Sequence, residues 1–205
     1  MFKVSALSLE RNDQKIFSNL TFNVEAGTLV RVLGPNGSGK SSLLKVLAGL
    51  WTPSSGTLYW RGEPLAANAP LFALERCYLG HQLGLQPALS PLQNLTLWLQ
   101  VSGVSVTPAK IREALELLGL ADLEGPCENL SRGECQRVAL AMLWLNPPVC
   151  WILDEPLTAL DRMGIEVVCE QFEMHLKKGG LIFMATHQVF EIPSPQAFEI
   201  QLGEL

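Results

Sequence analysis

The chain of 205 residues has the length of one domain with room for a small subdomain, and it can bury a full core. A net charge of −5 with no basic block excludes nucleic acid as an evident partner. Charged residues make up 17%, against about a quarter in ordinary soluble domains, which points to a surface partly covered by partners.

In chain order, Leu7 and Leu9, then Leu20, Phe22 and Val24, alternate with polar residues. They predict two half-buried strands joined through Arg11-Asn12-Asp13-Gln14. Ala26-Gly27 turns the chain into residues 28–33, an apolar, β-branched run that reads as a strand. Gly34-Pro35-Asn36-Gly37-Ser38-Gly39-Lys40-Ser41-Ser42 follows and fits the phosphate-binding pattern G-x-x-x-x-G-K-[ST] at every required position. Residues 42–48 then read as a helix ended by Gly49. Strand, glycine-rich loop and helix in this order make an anion site. Loop amides converge on phosphate oxygens, and the helix N-terminus adds partial positive charge. Lys40 is expected to reach the β- and γ-phosphates of a nucleotide, and the Ser41 hydroxyl to bind Mg²⁺.

Pro53-Ser54-Ser55-Gly56 reads as a turn, residues 57–60 as a strand, and Cys77-Tyr78-Leu79 as a short strand ending at Gly80-His81-Gln82. From Leu89 to about Leu130 the texture becomes helical. Leu92, Leu95 and Leu99 fall at helical spacing, Thr107-Pro108 opens a helix with the stripe Ile111, Ala114, Leu115 and Leu118, and Gly119 closes it. Ser131 can cap a helix running to Leu145. Residues 149–153 read as a buried strand ending at Asp154-Glu155-Pro156, and a helix runs from about Asp161 to Lys178. Residues 181–185 form another buried strand, ending at Thr186-His187, and residues 198–202 alternate like an edge strand.

The expected architecture is α/β: a mainly parallel sheet of the P-loop NTPase type, with an antiparallel N-terminal β patch and an α-helical insertion. The core is expected over 1–88 and 131–205, and the helical subdomain over 89–130. Met1 to Ser5 lacks the apolar core of a signal peptide, and the run from Val138 to Leu153 is broken by Asn146-Pro147-Pro148 before it could span a bilayer. Cys77, Cys127, Cys135, Cys150 and Cys169 show no C-x-x-C spacing, so they read as reduced structural residues rather than metal ligands.

Three buried strands end in polar residues, and in open α/β sheets ligands sit outside the carboxyl ends of strands, so these groups should converge. Asp154 is placed to hold Mg²⁺ through water. Glu155 is the better candidate for polarising an attacking water, because a carboxylate can accept or orient its proton.

Leu130-Ser131-Arg132-Gly133-Glu134 resembles the L-S-G-G-Q signature of ATP-binding cassette proteins. With Gly34 to Ser42, Gln82, Asp154-Glu155, Ala159-Leu160-Asp161 and His187 in family order, the resemblance covers nearly the whole chain. It implies an ATP-dependent homodimer in which each ATP is sandwiched between one phosphate loop and the partner's signature. Ser131 and Gly133 would then touch the γ-phosphate held by the other subunit. Gln82 would contact Mg²⁺ and relay to a transmembrane partner, His187 would contact the γ-phosphate, and Asp161 would couple the two sites. Two departures stand out. Arg132 takes a glycine position and Glu134 replaces the usual glutamine, which implies weaker or differently tuned contacts between subunits. Where the family stacks adenine on an aromatic residue, this chain has Arg11, whose guanidinium offers an alternative stack and implies relaxed base discrimination.

Residues 79–85, 141–145, 151–156 and 185–188 are similar in wording to the ATPase subunits of haem exporters in cytochrome c maturation. That resemblance implies a peripheral protein on the cytoplasmic face of the cell inner membrane. It would drive integral permease subunits of a haem exporter complex, for haem export or for release of a haem chaperone. The alternatives are a cassette serving a different permease, or a soluble ATP-driven clamp such as an iron–sulfur assembly ATPase. A regulatory cassette without turnover would lack Glu155 or His187, and both are present.

Overall fold

Alternating side chains lay down the N-terminal layer. The computed structural model describes residues 1–121, 123–145, 147–186 and 196–203. In it β1 (Phe2–Arg11) and β2 (Gln14–Val24) form a hairpin whose tip pairs Arg11 with Gln14. β3 (Thr28–Leu33) leads into α1 (Lys40–Leu47), after which β4 (Ser55–Trp60) returns to pair antiparallel with β1, and β5 (Glu63–Pro64) pairs with β4. The first sheet therefore has the order β2-β1-β4-β5.

α2 (Ala69–Glu75) precedes β6 (Arg76–Leu79). The helices α3 (Pro91–Val101), α4 (Pro108–Leu117) and α5 (Arg132–Leu145) follow, then β7 (Cys150–Asp154), α6 (Arg162–Lys177), β8 (Leu181–Ala185) and β9 (Gln196–Gln201). The second sheet is parallel in every described pairing and has the order β6-β7-β8-β3-β9. All five residues of β7 and of β8 are buried, as expected for central strands covered on both faces. β9 sits at the edge beside β3, where its alternation predicted an edge strand.

By internal contacts the chain forms two compact units. The first comprises Met1–Gly80, Pro148–Glu155 and His175–Leu205, and the second His81–Pro147 and Pro156–Met174. The second thus takes in α5 and most of α6 along with α3 and α4.

The first unit holds both sheets. Phe2 on β1 is fully buried, and its ring meets Trp60 at 6.0 Å, Phe72 at 5.9 Å and Phe183 of β8 at 5.1 Å between centroids. Burying each such side chain contributes about 1.5–3 kcal/mol. Leu43, Leu44 and Leu47 are the fully buried stripe of α1, which packs on β7 and β8 and so fixes the helix that follows the phosphate loop.

In the second unit α3, α4 and α5 pack on one another, and Leu95, Leu99, Ile111, Leu115, Val138 and Leu140 of these helices are buried. Ser90 closes a capping box with Gln93 at the start of α3, and the Thr107 hydroxyl accepts from the Lys110 amide at the start of α4.

Candidate functional site

The phosphate loop joins β3 to α1 with backbone that a side chain would obstruct. Gly39 has φ +97°, and a Cβ there would lie 2.4 Å from Cγ2 of Ile16 on β2. Lys40 opens the helix and is buried, with its Nζ donating to the carbonyls of Gly34 at 2.8 Å and Pro35 at 3.0 Å. The loop thereby holds an ammonium over its own turn, beside the unpaired amides of the first turn of α1. The Ser38 hydroxyl, also within the loop, is buried without a protein partner among the described residues.

Register brings the acidic residues to the same end of the sheet. Val32 on β3 and Asp154 on β7 both stand level with Ala185 of the intervening β8. Two strand spacings put their backbones about 10 Å apart. Asp154 is buried, and Glu155 has φ +53° while its amide donates to the Ala185 carbonyl at 3.0 Å. That left-handed turn directs Glu155 to the cavity of about 220 Å³ that it lines with Asn36, Gly37, Gly39, Lys40, Ser41 and Ser42.

A cavity floored by helix amides and an ammonium, with one carboxylate on its wall, fits a polyphosphate. The Ser41 hydroxyl and the Asp154 carboxylate are hard oxygen donors of the kind Mg²⁺ takes. That ion is commonly held by one or two carboxylates together with substrate phosphates, so it needs no dedicated cluster.

Arg11 stands at the tip of the β1–β2 hairpin. Its guanidinium lies 4.0 Å above the ring of Trp51, which follows α1, and Lys45 of α1 lies 4.7 Å from the same ring. The sequence shows no aromatic beside Arg11, yet the fold supplies one from 40 positions further along the chain. Trp51 and Ile16 are the two residues of this region that motif reading missed. Neither carries a local signal, because each arrives through tertiary packing.

The second unit carries the signature. Ser131 is the N-cap of α5: its hydroxyl accepts from the Glu134 amide at 3.2 Å, and the Glu134 carboxylate accepts from the Ser131 amide at 2.8 Å. These bonds hold the Glu134 carboxyl below its ordinary range. A Cβ on Gly133 would meet the Ala159 carbonyl oxygen at 2.4 Å, so only glycine lets the loop before α6 approach this helix end. Asp161 caps α6, its Oδ1 accepting from the Gly164 amide at 2.8 Å. Gln82 lines a cavity of about 510 Å³ with His81, Leu83, Cys127, Arg132 and Cys135. His187 lies outside the described residues.

The two-sheet fold and the phosphate-loop site define the ATP-binding cassette ATPases. The chain belongs to the ABC transporter family, whose model matches residues 17–158. Over its whole length it is 38% identical to the cytochrome c biogenesis ATP-binding export protein CcmA of Vibrio parahaemolyticus, covering 100% of both chains. It is 40% identical over 197 residues to the protein of the same name from Tatumella citrea, covering 96% of this chain and 92% of that one. Among solved structures, the ATP-binding subunit of an ABC transporter aligns with a TM-score of 0.80 at 28% identity, over 91% of this chain and 79% of that one. A dimeric ATP-binding cassette bound to ADP and Pi shares the fold, with a TM-score of 0.84 at 22% identity over 98% and 96% of the two chains.

Proposed function

We propose that this chain is the ATP-hydrolysing subunit of an ABC transporter complex that powers haem export or haem-chaperone release in c-type cytochrome biogenesis. The carrying observation is the cavity that joins Lys40, Ser41 and Glu155, in a chain alike from end to end to cytochrome c biogenesis export proteins. Gly34, Pro35, Asn36, Gly37, Ser38, Gly39, Lys40, Ser41 and Ser42 cradle the phosphates, with Lys40 leaving its loop carbonyls for the β- and γ-oxygens. Arg11 carries the base. Ser41 and Asp154 would hold Mg²⁺, which when bound neutralises charge developing on the phosphate oxygens. Glu155 orients a water and takes its proton as that water attacks the γ-phosphorus, and the β–γ bridge oxygen leaves with ADP. His187 steadies the γ-phosphate.

The site is finished by Ser131 and Gly133 of a second copy, so ATP acts as the adhesive of a homodimer. The dimer works on the cytoplasmic face of the inner membrane, as a peripheral partner of integral permease subunits. The 89–130 segment serves as the helical subdomain that faces them.

Glu155→Gln tests this reading, because binding survives while water activation is lost. The variant should elute as a dimer with ATP and Mg²⁺ and as a monomer with ADP, with turnover down at least about a hundredfold. A variant that stays monomeric with ATP at high concentration contradicts the composite site.

A further inference from the structure

We infer that Glu134 is an anion gate: its carboxylate takes the place at the N-terminus of α5 that a partner's γ-phosphate must reach, and so weakens the ATP-bound dimer. The inference rests on the two-subunit site proposed above and adds to it a residue that sets the strength of closure.

The N-terminus of a helix attracts anions through its unpaired amides and dipole. In α5 that attraction is already partly met from within. Glu134 accepts the Ser131 amide at 2.8 Å, while the Ser131 hydroxyl is tied to the Glu134 amide at 3.2 Å. The Ser131 amide is therefore engaged in an internal capping box with the Glu134 carboxylate, while the Ser131 hydroxyl, which only accepts there, keeps its proton to donate. The carboxylate is ionised at neutral pH, since its bonds to Ser131 favour the charged form.

The neighbouring cations leave that charge in place. Arg132 is turned to His81, with its Nη2 3.4 Å from Nδ1, and Arg137 donates to the Leu118 carbonyl at 3.2 Å while adding only a favourable field at Glu134. An incoming γ-phosphate thus meets a like charge within a few ångströms and must displace or tolerate it. Such a repulsion disfavours closure without touching the phosphate loop that holds the nucleotide first.

Glutamine at this position isolates the charge, because either Glu or Gln can close the box with an N-cap serine. The experiment uses the full chain in the Glu155→Gln background, with ATP and Mg²⁺, comparing Glu134 with Glu134→Gln by sedimentation across a concentration series. Removing the repulsion at two sites should lower the dimer dissociation constant about tenfold at low salt. The gap should close towards unity as KCl rises from about 50 to about 500 mM, because the Debye length falls to a few ångströms. ATP affinity of the dilute monomer should be the same in both proteins, which a general structural disturbance would not leave unchanged.

Equal dissociation constants at low salt overturn the inference while leaving the composite site standing. So does a difference that salt does not move, since that would mark a hydrogen bond rather than a charge. Absence of an ATP-dependent dimer in both proteins overturns the two-subunit reading and the gate with it.

Discussion

At Arg11 a single side chain shows how local pattern and tertiary context divide the work. Its guanidinium is held 4.0 Å over Trp51, and a planar cation stacked on one face can still offer the other to a nucleobase. A guanidinium reads the π-face common to all purines, so ATP and GTP should be hydrolysed with similar kcat/KM. Arg11→Ala should raise KM for both about fivefold with kcat little changed, as expected for loss of roughly 1 kcal/mol of uniform binding. Steady-state kinetics with the two nucleotides check this, and a strong ATP preference that survives the substitution contradicts the platform. The strand, glycine-rich loop and helix in that order were legible, because their residues are consecutive along the chain. Trp51 was not, because nothing near Arg11 in the chain announces it.

Elements interact through contacts that periodicity only partly anticipates. In the sequence His175 reads as a structural or surface residue; in the fold it stands in the last turn of α6 and its ring stacks on Trp151 of β7 at 3.8 Å and 8°. Burial of that ring depresses its pKa from 6.5 to about 4; hydrogen bonding with the backbone of Val149 and Leu181 opposes the shift, and the nearby Lys178 charge adds to it. The unfolded chain therefore binds the proton first. Stability carried by neutral His175 is complete above about pH 6.5, falls as pH drops from there towards 4, and is then exhausted, a loss of order 2–3 kcal/mol. His175→Phe should flatten the slope of unfolding free energy between pH 6.5 and 5, above the range where ordinary carboxylates titrate. Urea titrations at a series of pH values measure it, and an unchanged slope refutes the assignment.

The elements missed by pattern reading are instructive for the same reason. α2 buries only Phe72 and leaves Leu71 and Leu74 exposed, so it has no apolar stripe to detect. β5 is two residues long and exists only as an extension of β4.

For the whole molecule, no helix among the described residues is long and apolar enough to cross a membrane. The function proposed above has this chain reach the bilayer through integral permease subunits. Detergent extracts prepared from membranes of the native host should yield this chain with integral haem-handling proteins, identified by mass spectrometry. Recovery with other permeases would leave the cassette reading intact and remove the haem assignment.

The sequence by itself determined the glycine-rich loop between β3 and α1, the strands that end at Asp154 and just before Thr186, the helix caps at Thr107 and Ser131, and the membership of a family. Each of these depends on residues adjacent in the chain or repeated at a helical or strand period. Tertiary structure alone decided that Trp51 lies under Arg11, that Ile16 closes on Gly39, and that Val32, Ala185 and Asp154 stand level across three strands. Those relations are set by sheet order and register, and sheet order follows from how buried faces fit together rather than from any spacing along the chain.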